Sequence, residues 1–484
     1  MAFTNHAISS SQMVGLLGDW RVGSGPGPIY VRLALALRAL VLDARVTTPC
    51  RLPAERPLAV ALGVSRTTTT TAYQLLREQG FIHSRPGGGS WTALPPGRQR
   101  RGAPWGPAVP EEAGWLDLAL AAPVGDDEVM VAVADATGQL GAYLGGHGYE
   151  PRGLAILREA IARRYESRGL PTSADQILVT NGAQQAIDLV VRTLVSPLEP
   201  VMVECPTYPN ALDVLAQARA RVVTVGMSTT GWNPDLAISA LRQTLPRLAY
   251  LIPDFHNPTG HLMPVDCRLA IAKAAAASGT HLVIDETFAE LTLDAVDVPP
   301  PFACYDASGQ VISVGSMSKA YWAGLRIGWI RTTASLLSRF QAVRGTLDIA
   351  SPVFEQLLAA SLLDNGHGLL TRRRAALASG RNILMRELRE HFRDWRFGAP
   401  TGGLSLWVDL GAPVSAALAQ AAEGHRLRLA AGPRFGPNGT LERYLRLPYI
   451  LDEEDLVEAV RRLEAAKADL DAGWTPSSKV IPIA

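Results

Sequence analysis

Lysine is nearly absent from this chain. Its 484 residues hold only Lys273, Lys319, Lys467 and Lys479, so the other 42 of the 46 basic residues are arginine. Cysteine is equally scarce. Cys50, Cys205, Cys267 and Cys304 are scattered, with no C-x-x-C spacing. That argues against a zinc site or a disulfide framework and for a reduced, cytoplasmic chain. No run of about 18 uncharged apolar residues occurs, so no membrane-spanning helix is expected. The first residues lack a basic stretch leading into an apolar core, so no signal peptide is expected. With 47% hydrophobic and 19% charged residues the composition is globular, and 484 residues suit a small domain joined to a large one.

The net charge of +1 conceals an asymmetry. Residues 1–110 carry 12 Arg, no Lys and four acidic residues, a net of +8, whereas the remainder carries 34 basic against 41 acidic residues, a net of −7. A basic N-terminal segment on an acidic body suggests that one end meets a polyanion.

Within the basic segment, Tyr30, Leu33, Leu37, Leu40, Val41 and Ala44 recur at helical spacing and predict a helix from Tyr30 to Val46. The stretch from Arg51 to Gly63 predicts a second helix stopped by Gly63, with Pro57 tolerated only in its first turn. Ser65 is the N-cap of a third helix, Arg66 to Gln79, which Gly80 ends. Residues 81–92 then read as two strands about the turn Pro86-Gly87-Gly88-Gly89. Three helices and a hairpin make a winged helix-turn-helix. The third helix opens Arg66-Thr67-Thr68-Thr69-Thr70-Thr71. Threonines are poor helix formers, but their hydroxyls beside an arginine at a helix N-terminus suit phosphate oxygens and base edges in a major groove. Arg85 and the glycines of the wing suit the adjacent minor groove.

These residues carry a family resemblance. Leu52-Pro53-Ala54-Glu55-Arg56, Leu62-Gly63-Val64-Ser65-Arg66-Thr67-Thr68, Ala72-Tyr73 and Leu76-Arg77-Glu78-Gln79-Gly80-Phe81 resemble the DNA-binding domain of GntR regulators. The resemblance implies that Arg56 and Arg66 contact DNA, with Thr67 and Thr68 as neighbours. Two positions depart from the family pattern. Ala54 stands where a capping Ser is usual, and Pro57 replaces an acidic residue; both weaken the start of the second helix. From Ala93 to Gly114 periodicity disappears in a Pro-, Gly- and Arg-rich stretch, Pro95-Pro96-Gly97-Arg98-Gln99-Arg100-Arg101-Gly102, which reads as a flexible tether.

The acidic remainder alternates helical and strand-like patterns. Helices are predicted over Arg152–Glu166, Gln184–Leu194 and Leu262–Ser278, and strands over Ile177–Thr180, Val201–Glu204, Ala249–Ile252, His281–Ile284 and Val311–Val314. Apolar strands alternating with helices imply a mainly parallel sheet whose active residues lie at strand C-terminal ends. Polar residues fall there in order. Asn181-Gly182-Ala183-Gln184 opens a helix whose free N–H groups suit a phosphate. Tyr208 offers a ring for stacking, and Asn257-Pro258-Thr259-Gly260, Asp285-Glu286 and Ser316-Met317-Ser318-Lys319 follow, with Arg326 seven residues beyond Lys319. An amine, a carboxylate, a stacking ring, phosphate donors and a guanidinium are what pyridoxal 5′-phosphate needs. Of the basic side chains, only a lysine amine forms a Schiff base.

Residues 117–465 resemble fold-type I aminotransferases of class I/II. The resemblance implies that Lys319 is the Schiff-base lysine and Asp285 the partner of the pyridine nitrogen. It assigns Asn257 to the 3′-oxygen and Tyr208 to the ring face. Gly182, Ala183, Gln184, Ser316, Ser318 and Arg326 hold the phosphate. Arg446, in Tyr444-Leu445-Arg446-Leu447, binds the substrate α-carboxylate, and the early motif Gly148-Tyr149-Glu150-Pro151-Arg152-Gly153 brings Tyr149 toward the cofactor. Phe288 departs from the family, which often places a tyrosine there as a second donor to the 3′-oxygen; either that donor is lost or Thr287 or another residue supplies the hydroxyl.

Winged helix, tether and aminotransferase-like body in this order resemble the MocR subfamily of GntR regulators. The expected fold class is α/β: a winged helix over residues 25–92, a linker over 93–114, and over 115–470 a body with a mainly parallel sheet and a smaller α+β subdomain. The resemblance implies a regulator that carries pyridoxal phosphate and binds double-stranded operator DNA. It senses the cofactor itself or an amino acid or amine effector, and it works as a homodimer, often with head-to-tail exchange of the DNA-binding domains. The competing reading is an active aminotransferase carrying a DNA-tethering or autoregulatory module.

Overall fold

The computed structural model describes residues 6–23, 28–85, 89–95 and 114–473. The wing turn at 86–88 and residues 96–113 of the tether, with Arg98, Arg100 and Arg101, lie outside the described residues, as does the side chain of Arg85.

The N-terminal unit is a winged helix. The helix Ile29–Leu42 buries Leu33, Leu37, Leu40 and Val41 on one face, each worth roughly 1.5–3 kcal/mol of apolar burial. It ends four residues before the predicted Val46, because Ala44 adopts the left-handed region at φ 53° and Val46 turns back to donate to the Leu40 carbonyl. The helix Glu55–Leu62 starts at Ala54 without a side-chain cap and stops at left-handed Gly63, with Pro57 in its first turn. The helix Arg66–Glu78 is capped by Ser65, whose Oγ accepts from Thr68 N at 3.0 Å. Glu55 ties the two helices together, accepting from Thr70 Oγ1 at 2.7 Å and Arg77 Nη2 at 3.0 Å. Buried Tyr73 donates to the Pro53 carbonyl at 2.9 Å. Strands β1 (Ile82–Arg85) and β2 (Gly89–Thr92) pair antiparallel, Ile82 opposite Thr92. A helix that periodicity did not reveal, Ser10–Leu17, is closed by a Ser9/Gln12 capping box and drives Met13 into the same core.

The body contains β3 (Leu116–Leu118), β4 (Ile177–Thr180), β5 (Pro200–Cys205), β6 (Arg221–Gly226), β7 (Leu248–Leu251), β8 (His281–Asp285), β9 (Val311–Ser316), β10 (Gly328–Arg331), β11 (Ser405–Asp409), β12 (Leu427–Ala431) and β13 (Tyr444–Pro448). Seven of these form one sheet in the order β4-β10-β9-β8-β7-β5-β6, with β10 the only antiparallel member. Most of its strands are apolar at nearly every position because helices cover both faces, and the two faces build two separate cores. The second sheet, β11-β13-β12-β3, takes its three longer strands from the C-terminal part of the chain and β3 from the start of the body. The predicted helix at Arg152 begins instead at Ala155. Gly153 explains the delay. Its φ is +93°, and a Cβ there would sit 2.3 Å from Val179 Cγ2, so the chain is still crossing tightly over β4.

Candidate functional site

Parallel strands feed their C-terminal ends to one side of the sheet, and a cavity of about 780 Å³ opens there. Lys319, Asp285, Asn257, Tyr208, Ala183, Gln184, Ser316, Ser318, Arg326 and Arg446 all line it. Gly182 lies directly behind Arg326: a Cβ on Gly182, at φ +78°, would approach Arg326 Nη2 to 2.8 Å. Residues far apart in the sequence thus share one wall.

Asp285 closes β8 and is buried. It accepts from Thr287 N at 2.9 Å and from Tyr250 Oη at 2.6 Å. Burial raises its pKa, opposed by the Thr287 and Tyr250 donors and by the charge of Lys319. A cation placed against this carboxyl would restore its ionised form. Lys319 Nζ donates to the Ala121 carbonyl at 2.6 Å. Burial, then Arg446, lowers its pKa to about 8, with Asp285 opposing and Arg326 adding to the fall. At pH 7.5 roughly a quarter of such amines are neutral and nucleophilic, against about one in a thousand for an ordinary lysine.

The anion cradle lies beside them. The helix Gly182–Leu194 presents its N-terminal turn to the cavity through Ala183 and Gln184. Ser316 Oγ accepts from Ser318 N at 3.1 Å, while Ser318 Oγ is buried without a partner. An orphaned hydroxyl, free helix N–H groups and the guanidinium of Arg326 over a glycine fit a phosphate. With the lysine and the carboxyl, they fit pyridoxal phosphate. Tyr208 lines the same cavity; burial, then Asp285, pushes its phenol up to about 12.

Arg446, on β13, is buried. It lies 5.1 Å from the centre of the Phe435 ring, donates to the Ala119 carbonyl, and keeps Nε unpartnered. Burial, then the charge of Arg434, brings its pKa down to about 10, with Asp117 opposing. It makes no ion pair among the described residues.

Sequence reasoning missed four participants. Tyr250 was signalled only as the one hydroxyl in the apolar run Ala249-Tyr250-Leu251. Arg434 and Arg428 line the cavity from the small sheet's side, and Asp117 holds the entering loop by accepting from Ala119 N at 2.7 Å and Leu120 N at 3.0 Å. Tyr149 is 58% exposed in the single chain and is not among the residues that line its own cavity. The position of the missing tyrosine, Phe288, faces the cavity, and the hydroxyl of Tyr250 does not substitute for it, being committed to Asp285.

On the winged helix, Arg56, Arg66 and Thr67 are exposed and Thr68 is half-exposed. Neither Arg56 nor Arg66 makes an ion pair among the described residues. Arg77, by contrast, is held by Glu55 and by Ser84 Oγ at 2.8 Å. The reading turn therefore keeps its charge available while the arginine farther along the helix serves the fold.

The winged helix is also seated on the body. Leu441 N donates to the Leu42 carbonyl at 2.8 Å, and Gln243 bonds both the N–H and the carbonyl of Ala7, at 2.8 and 3.3 Å. Ala44 packs with Cys205, Ala430, Phe435 and Leu441. Gly226 makes room for it: a Cβ there would lie 2.5 Å from the Ala44 carbonyl oxygen. Phe435 therefore belongs to the cluster that seats the head and also lies under the arginine of the cavity.

A DNA-reading head on a pyridoxal-phosphate body is the class of protein that this fold and this site define. Residues 114–463 match the family "Aminotransferase class I and II", and residues 29–91 match "Bacterial regulatory proteins, gntR family". The 2-aminoadipate transaminase of Thermus thermophilus is 31% identical over 310 residues, covering 63% of this chain and 78% of that one. The probable rhizopine catabolism regulatory protein MocR of Rhizobium meliloti is 28% identical over 392 residues, covering 76% of this chain and 78% of that one. The α-aminoadipate aminotransferase LysN of Thermus thermophilus, solved with N-(5′-phosphopyridoxyl)-L-leucine, superposes with a TM-score of 0.68 at 29% identity, covering 75% of this chain and 94% of that one. The chain belongs to the class I and II aminotransferase family and, with its GntR-type head, to the MocR subfamily of transcriptional regulators. Its cofactor is pyridoxal phosphate, and its head binds DNA. Among the described residues no helix is long and apolar enough to cross a membrane.

Proposed function

We propose that the body is a sensor for an amino compound and that the seat of the head reports its occupancy. In this reading Lys319 supplies the amine that meets the cofactor's aldehyde, and Asp285 ionises against the ring nitrogen. Tyr208 stacks on the ring, and Asn257 donates to the 3′-oxygen. The N–H groups of Gly182, Ala183 and Gln184, with Ser316, Ser318 and Arg326, hold the phosphate, and Arg446 takes the effector's carboxylate. When bound, pyridoxal phosphate supplies an electrophilic carbon and an electron-withdrawing ring. Arg56, Arg66, Thr67, Thr68 and Arg85 meet operator DNA. The tether over residues 93–114 separates a head of residues 25–92 from a body of residues 115–470.

One observation carries the coupling: Phe435 underlies Arg446 and packs in the same cluster as Ala44. An anion drawn to Arg446 shifts the ring against which the head is seated. The effector then favours one seating over the other, which is what a two-state switch requires. Exposed Met130, Val131, Leu144 and Tyr149, at 58–73% exposure, support burial in a homodimer, and four free cysteines fit a cytoplasmic protein. Heads exchanged head-to-tail would use the same seat on the second copy.

Two variants test this. Arg66→Ala is expected to weaken operator binding at least several-fold and to lower the salt-dependence slope by about one, with cofactor absorbance intact. Lys319→Ala is expected to hold less cofactor and to lose the effector response in a promoter-binding assay; undiminished cofactor with a full response sinks the reading. The low basicity of Lys319 also favours a second reading, an active aminotransferase, as does the transaminase relative. Turnover of an amino donor and a 2-oxo acid by the purified protein at ordinary aminotransferase rates would establish that one instead.

A further inference from the structure

The cavity carries more positive charge than a cofactor and one carboxylate would engage. Its wall holds Lys319, Arg326, Arg428, Arg434 and Arg446 against Asp117 and Asp285. On the assignments proposed above, Arg326 faces the phosphate, Lys319 bonds the cofactor, Asp285 answers the ring nitrogen, and Arg446 takes the α-carboxylate. Arg428 and Arg434 have no role in those assignments. Arg434 sits in the turn Gly432–Phe435, one residue before the ring under Arg446, and it makes no ion pair among the described residues.

It makes no ion pair with the nearby acid. Asp117 accepts from the N–H groups of Ala119 and Leu120 through Oδ1, and its charge supports Arg446. Arg434 and Arg446 instead repel each other across a partly desolvated wall, a cost that falls when anions occupy both. Arg428, on β12 with its guanidinium 5.9 Å from the Trp115 ring, extends the same positive wall. A planar guanidinium is suited to carboxylate, which it can grip with two parallel N–H groups.

We propose that Arg434 selects the effector's side chain, and that the ligand class is an amino acid with a second carboxylate. Arg446 holds the carboxylate common to all amino acids, and Arg434 holds the one that distinguishes acidic members. This rests on the reading of the body as an amino-compound sensor. The alternative is that the two arginines share a single carboxylate, and the test separates these cases.

The full-length protein loaded with pyridoxal phosphate is titrated by calorimetry and cofactor absorbance with three acid–amide pairs: L-aspartate and L-asparagine, L-glutamate and L-glutamine, and L-2-aminoadipate and its side-chain amide. The acid of at least one pair is expected to bind on the order of tenfold or more tightly than its amide, the scale of one charge-assisted hydrogen-bonded pair. Arg434→Gln is expected to abolish that ratio while leaving the amide's affinity within about twofold, and Arg434→Lys to restore part of it. Unchanged melting temperature and cofactor absorbance show that the variants are folded and loaded. Amides that bind as tightly as acids overturn the proposal, and so does an Arg434→Gln variant that weakens both members of a pair equally; either result leaves the sensor reading standing. Absence of heat and of spectral change with all six compounds also overturns the proposal, whereas the sensor reading fails separately, on a Lys319→Ala variant that keeps its cofactor and its full response.

Discussion

Tyr250 donates its phenolic proton to Oδ2 of Asp285 at 2.6 Å, from the neighbouring strand. β7 and β8 pair with Leu251 opposite Ile284, which sets Tyr250 and Asp285 as diagonal neighbours on one face of the sheet. The donor favours the ionised carboxyl that burial disfavours. Tyr250→Phe removes it. Pyridoxal phosphate is expected to bind on the order of tenfold or more weakly, the scale of one hydrogen bond to a charged group, by equilibrium dialysis at neutral pH. Unchanged affinity would mean that Tyr250 only packs.

The lowered basicity of Lys319 predicts a pH signature in the cofactor-free protein. The amine titrates near pH 8 in the fold and at the ordinary 10.5 when unfolded. Between those values the unfolded chain holds a proton that the native chain has released, so native stability rises with pH across that window. Cofactor-free Lys319→Met carries no such penalty. Its melting temperature is expected to exceed that of the unaltered protein at pH 7, with the gap closing between pH 8 and 10.5. Parallel melting curves across that range would show that the buried amine is not disfavoured.

The seat of the head predicts a second pH response, of opposite sign. Burial raises Asp43 from 3.8 to about 6, with Arg443 opposing, Asp409 adding, and Arg45 opposing. Between these values the native state holds the extra proton, so the seated state loses stability as pH rises from about 4 to 6 and stays weaker above. Asp43→Asn keeps that position neutral. It is expected to hold the head seated at pH 7 and to flatten the pH dependence, read as energy transfer between dyes on the head and the body. A head that leaves its seat equally in both proteins would remove Asp43 from the contact.

Much of the cavity was legible before any fold was seen because its residues sit where strands end. Lys319 stood out as one of four lysines, and Asp285, Asn257 and Gly182 each follow an apolar run with a turn signal. The helices of the winged unit were legible from Gly63, Ser65 and Gly80, which start and stop them for local backbone reasons. Boundaries slipped where a distant contact intervened: Gly153 against Val179 delays one helix, and Ala44 in the left-handed region ends another early.

The sequence by itself determined the order of parts, the elements and the chemical inventory, since periodicity, caps and turn residues act over a few neighbouring positions. The fold alone decided the pairings: Tyr250 with Asp285, Arg434 beside Arg446, and Ala44 in one cluster with the ring that Arg446 overlies. Those depend on which strand lies next to which and on which face is buried. Such choices are settled by the packing of the whole chain, not by any window along it.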